Sequence, residues 1–100
     1  MNRHRDELVD SGFEQPVGWL ETSVARIGAQ VLRVDRIGRS DSFFDFDATS
    51  MDALKICAGI EAEAGYRVPP HWLFETDVLA DLVSRIEAEA EAEPGQAGVS

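Results

Sequence analysis

Among the side chains able to do chemistry, Ser50 stands where an irregular, Phe-rich stretch gives way to a helical pattern. Serine at such a junction is a favoured N-cap, because its oxygen accepts a hydrogen bond from an unpaired backbone N–H. As a catalytic nucleophile it is poorly equipped. A nucleophile elbow needs glycine two places before and after the serine, and Ala48 and Asp52 hold those places. The histidines are His4, in the opening segment, and His71, after a proline pair. Nothing in the order of residues sets either beside Ser50 as a base with its own orienting acid. Hydrolysis is thereby disfavoured, and His71 is expected at the surface.

Asp41, Asp45, Asp47 and Asp52 gather around the same junction and raise the question of a cation. A calcium loop beginning at Asp45 would need glycine at its sixth place and glutamate at its twelfth; Ser50 and Ile56 stand there. The motif fails, no resident metal is expected, and these acids read as solvated loop carboxylates. Cys57 falls on an apolar stripe and reads as a small core residue. As the only cysteine it forms no disulfide within the chain and suits a reducing compartment.

The elements that would position Ser50 follow from hydrophobic spacing. Val17, Leu20, Val24, Ile27 and Val31 recur at steps of three and four, which predicts a first helix, with Pro16 in its first turn. Ala53, Ile56, Cys57, Ile60 and Ala64 predict a second, stopped by Gly65. Val78, Leu79, Leu82, Val83 and Ile86 predict a third, with Thr76 or Asp77 as its cap. Val68-Pro69-Pro70 forces an extended entry to one short turn over 71–75. Between the first two helices lies a long loop, roughly 33–49, whose Phe43, Phe44 and Phe46 are expected to plug into the core. Trp19 and Trp72 are expected to flank that core by packing. No segment alternates as a strand would, so the class is all-α: a bundle of three main helices and one short one. Residues 1–15 read as a flexible leader, 16–90 as the folded domain, and 91–100, with Pro94 and Gly95, as a disordered tail.

Composition narrows the partners. Nineteen acidic against nine basic side chains give a formal charge of −10, a field that repels nucleic acid and welcomes a basic protein surface. Solubility alone also accounts for such acidity. No apolar run approaches the roughly 20 residues that span a bilayer, and no secretory signal opens the chain. The expected setting is cytoplasmic, without a membrane, and the expected state is monomeric.

The stretch Asp41-Ser42-Phe43-Phe44-Asp45-Phe46-Asp47-Ala48-Thr49-Ser50-Met51-Asp52-Ala53-Leu54 resembles the attachment motif of peptidyl carrier proteins, Asp-x-Phe-Phe-x-Leu-Gly-Gly-x-Ser-Leu. The likeness extends upstream to Val31-Leu32-x-Val34-Asp35-x-Ile37-Gly38. Downstream it takes in Val68-Pro69 and Leu73-Phe74-Glu75, so it covers about residues 17–86 in order. It implies a four-helix carrier, free-standing and not itself an enzyme. A phosphopantetheinyl transferase would attach the 4′-phosphopantetheine of coenzyme A to Ser50. An adenylating or acyl-loading enzyme would charge the arm with an aminoacyl or acyl thioester. Downstream tailoring or condensing enzymes of nonribosomal peptide or related natural-product biosynthesis would then take the cargo in trans. A phosphodiester at a helix N-terminus suits the free N–H groups and the helix dipole there. A magnesium ion shared with the transferase and coenzyme A is the alternative use of the loop acids.

Partner recognition is expected from Thr49, Met51, Asp52, Leu54 and Lys55. On the helical wheel Met51 lies opposite the Ile56–Ile60 stripe, so it either meets visiting enzymes or folds back on Phe46 or the loop. Charge reversal at acids near the second helix is expected to slow partners without unfolding the domain. The departures from the pattern are Asp47-Ala48 in place of Gly-Gly, where glycine would permit positive φ. Ala48 is nearer the acyl-carrier version of the motif, while Phe43-Phe44 and Leu73-Phe74-Glu75 favour the peptidyl branch. The competing class is an unmodified helical interaction module that keeps the fold without the arm.

Overall fold

Val24, Ile27, Ile56, Ile60, Leu82 and Ile86 come from the three long segments and meet in one buried core. In the computed structural model, which describes residues 2–92, these segments are helices α2 (Gly18–Leu32), α3 (Ser50–Ala64) and α5 (Leu79–Ala92). Two short helices accompany them, α1 (Arg5–Leu8) and α4 (His71–Glu75), with a 3₁₀ turn at Phe43–Phe46. No strand forms among the described residues; two isolated bridges, Arg3 with Val34 and Ser42 with Val78, are the only extended pairing there.

Helix α2 starts later than its sequence pattern implied. Val17 is the cap and Pro16 lies before it, because the Glu21 carboxylate accepts the Val17 N–H at 2.9 Å and fixes the entry. Val17 is therefore 65% exposed rather than part of the core stripe, and Trp19 is outside too, stacked on Tyr66. Trp72 is half-buried beneath the Arg85 guanidinium. Helix α3 crosses α2 closely at Gly59, where an added Cβ would sit 2.8 Å from Ile27 Cγ2. It ends at Gly65, whose φ of 82° is the left-handed stop expected of glycine.

The start of α5 is capped by the long loop rather than by Thr76 or Asp77. Leu79 and Ala80 donate their N–H groups to the carbonyls of Asp41 and Arg39, at 3.1 and 2.9 Å. Asp77 instead receives the Ser42 hydroxyl, and its carbonyl accepts the Phe43 N–H. Phe43 and Phe46 are fully buried as expected. Phe44 departs from that reading: it lies half-buried against Phe74, ring centroids 5.2 Å apart.

The opening segment is not a loose leader. Arg5 is 1% exposed and its guanidinium grips Asp41, with Nε to Oδ2 at 2.8 Å and Nη2 to Oδ1 at 2.6 Å. The Arg39 N–H donates to the Glu14 carbonyl at 2.8 Å, and Phe13 lies under Arg36, 3.8 Å from ring centroid to guanidinium carbon. Asp41 is correspondingly no solvated acid. A carboxylate excluded from water needs a paired cation, and the cation comes from a segment 36 residues away in sequence. At the other end α5 extends through Ala92, past the boundary expected at residue 90. The remainder of the expected tail, 93–100, lies outside the described residues. Among those that are described, no helix is long and apolar enough to cross a membrane.

Candidate functional site

Ser50 is the first residue of α3, not its cap. Thr49 is the cap: its backbone is extended (φ −98°, ψ 173°), and its hydroxyl accepts the Asp52 N–H at 3.2 Å. The Asp52 carboxylate accepts the Thr49 N–H at 3.0 Å, completing a reciprocal capping box. Thr49-x-x-Asp52 is the local sequence signature of that box. Its consequence is chemical. With capping done by Thr49, the exposed Ser50 hydroxyl is released from that task. The N–H groups at the start of a helix have no intrahelical partners, and those of Ser50 and Met51 occupy that position beside it.

The surroundings fit a flexible phosphodiester substituent. Met51 is 60% exposed and Leu54 49% exposed, so Met51 projects outward rather than folding into the core. Lys55 is exposed and Asp52 half-buried. Phe74 is also an exposed large apolar residue, held in place by Phe44. Thus, of the five residues expected for partner recognition, Thr49 is the cap of α3 and Met51, Asp52, Leu54 and Lys55 lie in its first two turns, with Asp52 engaged in the cap.

The turn leading into Ser50 has one unusual residue. Asp47 is left-handed, with φ 61° and ψ 37°. It adopts the conformation for which glycine is the easy choice. Ala48 is half-buried against the core. On the flank of the turn, a groove of about 510 Å³ is lined by Arg3, Arg33, Phe46, Asp47, Asp52 and Lys55, among others. Arg3 was not singled out from the sequence. No local spacing ties a residue near the N-terminus to a turn more than forty positions later.

Other candidate chemistry falls away on geometry. His4 is tied to Asp35, with Nδ1 at 3.6 Å from Oδ2, and His71 is exposed on α4. Among the described residues no group of three or more His, Cys, Asp or Glu could hold a metal ion. Cys57 is buried, and burial pushes its thiol up to about 11.

Residues 23–86 match the phosphopantetheine attachment site family, and the chain belongs to that family. It is a carrier domain of the peptidyl and acyl carrier kind, whose prosthetic group is a covalently attached 4′-phosphopantetheine derived from coenzyme A. The chain is 34% identical over 76 residues to malpinin synthetase of Mortierella alpina, covering 76% of this chain and 1% of the synthetase. It is 37% identical over 71 residues to surfactin synthase subunit 2 of Bacillus subtilis (strain 168), covering 71% of this chain and 2% of that subunit. The chain therefore spans a very small part of these relatives.

The fold is similar to a peptidyl carrier protein solved with the phosphopantetheine transferase Sfp and coenzyme A. Its TM-score is 0.71 at 25% identity, covering 76% of this chain and 99% of that one. It is also similar to BlmI, a type-II acyl-carrier-protein from Streptomyces verticillus involved in bleomycin biosynthesis. There the TM-score is 0.66 at 27% identity, covering 70% of this chain and 84% of that one.

Proposed function

We propose that Ser50 is the attachment point of the arm, and that the chain presents an aminoacyl or acyl thioester to partner enzymes in nonribosomal peptide assembly. The observation that carries this reading is the exposed hydroxyl at the first residue of α3, relieved of capping by Thr49. When bound, 4′-phosphopantetheine supplies a long flexible tether ending in a thiol that can hold cargo as a thioester. The protein's residues do the rest. Thr49 and Asp52 hold the end of α3 rigid, the helix N-terminus favours the phosphodiester charge, and Met51, Leu54 and Lys55 offer a surface to visitors.

In this reading the chain catalyses no step itself. A phosphopantetheinyl transferase and loading and condensing enzymes act on it, within the cytoplasm. Relatives drawn from malpinin, surfactin, bacitracin and gramicidin synthases support the nonribosomal peptide setting. The left-handed Asp47 supports modification over the unmodified module, because the backbone takes the turn despite lacking glycine there.

The test is intact-mass measurement after incubation with coenzyme A and a broad-specificity phosphopantetheinyl transferase. The native chain gains one arm and Ser50→Ala gains none. A gain that persists in Ser50→Ala would place the arm elsewhere.

A further inference from the structure

Arg3 lies outside the family-matched residues, yet its side chain reaches the turn that delivers Ser50. Nη2 donates to the Leu32 carbonyl at 2.7 Å and to the Phe46 carbonyl at 2.9 Å. Leu32 ends α2 and Phe46 ends the 3₁₀ turn, so one guanidinium ties these two termini together. Nη1 lies 3.5 Å from Asp47 Oδ2, an exposed contact that adds little alone. The carbonyl bonds matter more, being charge-assisted and part-buried.

The peptide beginning at the Phe46 carbonyl leads directly into Asp47, and three residues later comes Ser50. A side chain at φ 61° resists the conformation that glycine accepts freely. Arg3 is itself anchored. Its N–H donates to the Arg33 carbonyl and its own carbonyl accepts the Asp35 N–H, both at 2.8 Å. Two residues on, Arg5 is locked to Asp41.

We propose that Arg3 is a positioning residue for Ser50. It holds the Asp47 turn in the shape that an unsubstituted backbone would reach without help. The segment before the family-matched region and the attachment turn then work as one unit. The inference rests on Ser50 being the attachment point.

Transfer kinetics on the full chain, with coenzyme A and a broad-specificity transferase, test it through Arg3→Ala, Arg3→Lys, Asp47→Gly and the Arg3→Ala/Asp47→Gly pair. Losing a charge-assisted bond of this kind raises the KM for the carrier about tenfold in Arg3→Ala, with kcat little changed. Arg3→Lys recovers part of the loss. In the Asp47→Gly background the Arg3→Ala effect shrinks to about twofold or less, the mark of coupled residues. Amide hydrogen exchange gives a second readout: in Arg3→Ala it quickens over 48–51 while Ile56 and Leu82 keep their protection. A native KM in Arg3→Ala overturns the proposal, as does an equal loss in both backgrounds or a rise in exchange throughout the core. A native chain that gains no mass removes the Ser50 reading and this proposal together. A native chain modified normally, beside an unaffected Arg3→Ala, removes this proposal alone.

Discussion

The Arg5 guanidinium and the Asp41 carboxylate meet through two parallel bonds, 2.8 and 2.6 Å long, with both side chains almost wholly shielded from water. Asp41 also accepts the Gly38 N–H at 2.7 Å, and its own carbonyl accepts from Leu79. One residue thus joins the opening segment, the long loop and the start of α5. A broken buried pair leaves an uncompensated charge, so Arg5→Ala destabilises by about 3–5 kcal/mol. Urea unfolding followed by circular dichroism checks this; an unchanged midpoint contradicts it.

Acid weakens the same junction. Burial pushes the Asp41 carboxyl up, but the Arg5 guanidinium and the Gly38 N–H pull it down further, leaving it below its ordinary value. The Arg39 guanidinium lowers Glu21, and the Arg5 backbone N–H lowers Asp35. A carboxyl with a depressed folded value binds its proton more readily when unfolded. Its contribution is therefore complete above about pH 4 to 5 and lost as pH falls through the folded values. Thermal midpoints fall steeply below about pH 4 in the native chain. Asp41→Asn starts from a lower plateau and falls less.

Gly59 sets how closely α2 and α3 approach. Its missing Cβ leaves room for Ile27, which is buried. Gly59→Ala, although it favours helix locally, forces that side chain or the helix aside and destabilises by about 1–3 kcal/mol. In an Ile27→Ala background, which removes the Cγ2 methyl that the new Cβ meets, adding Gly59→Ala costs much less. Equal stability of native and Gly59→Ala would place the helices further apart than described.

Asp52 is a cap residue before it is a surface charge. Charge reversal there removes the carboxylate that accepts the Thr49 N–H, so Asp52→Lys destabilises α3 by about 1 kcal/mol. Reversal at exposed Asp45, whose side chain has no such task, leaves thermal stability within about 0.5 kcal/mol of native. Comparing thermal midpoints of the two variants separates fold from recognition.

Cys57 should resist alkylation. Its thiol is buried and its ionisation pushed up to about 11, which leaves little thiolate at pH 8. Iodoacetamide then labels the apo chain only in denaturant. Rapid labelling of the folded apo chain would contradict the packing of α3.

The helices were legible because their apolar spacing is local: Ile56, Cys57 and Ile60 are buried where the period put them. Ser50 stands out as the candidate site for the same reason, since its neighbours form a continuous motif. What escaped the sequence was long-range pairing. Neither Arg5 with Asp41 nor Arg3 with Phe46 leaves a trace in spacing, and a mixed-charge stretch reads as solvated until its partner is known. Val17 went the other way, fitting the apolar period yet lying outside because Glu21 sets the helix entry, and Trp19, expected to flank the core, is exposed against Tyr66. Thr49, by contrast, does leave a local trace, the capping-box spacing to Asp52.

Site-localised mass spectrometry tests the central claim most directly. Trypsin cuts after Arg39 and Lys55, releasing the peptide Ser40–Lys55, which carries Ser40, Ser42, Thr49 and Ser50 together. After modification, fragment ions place the arm on Ser50. An arm on Thr49 or Ser42, or a peptide that stays unmodified while transferase converts a control carrier, contradicts the account.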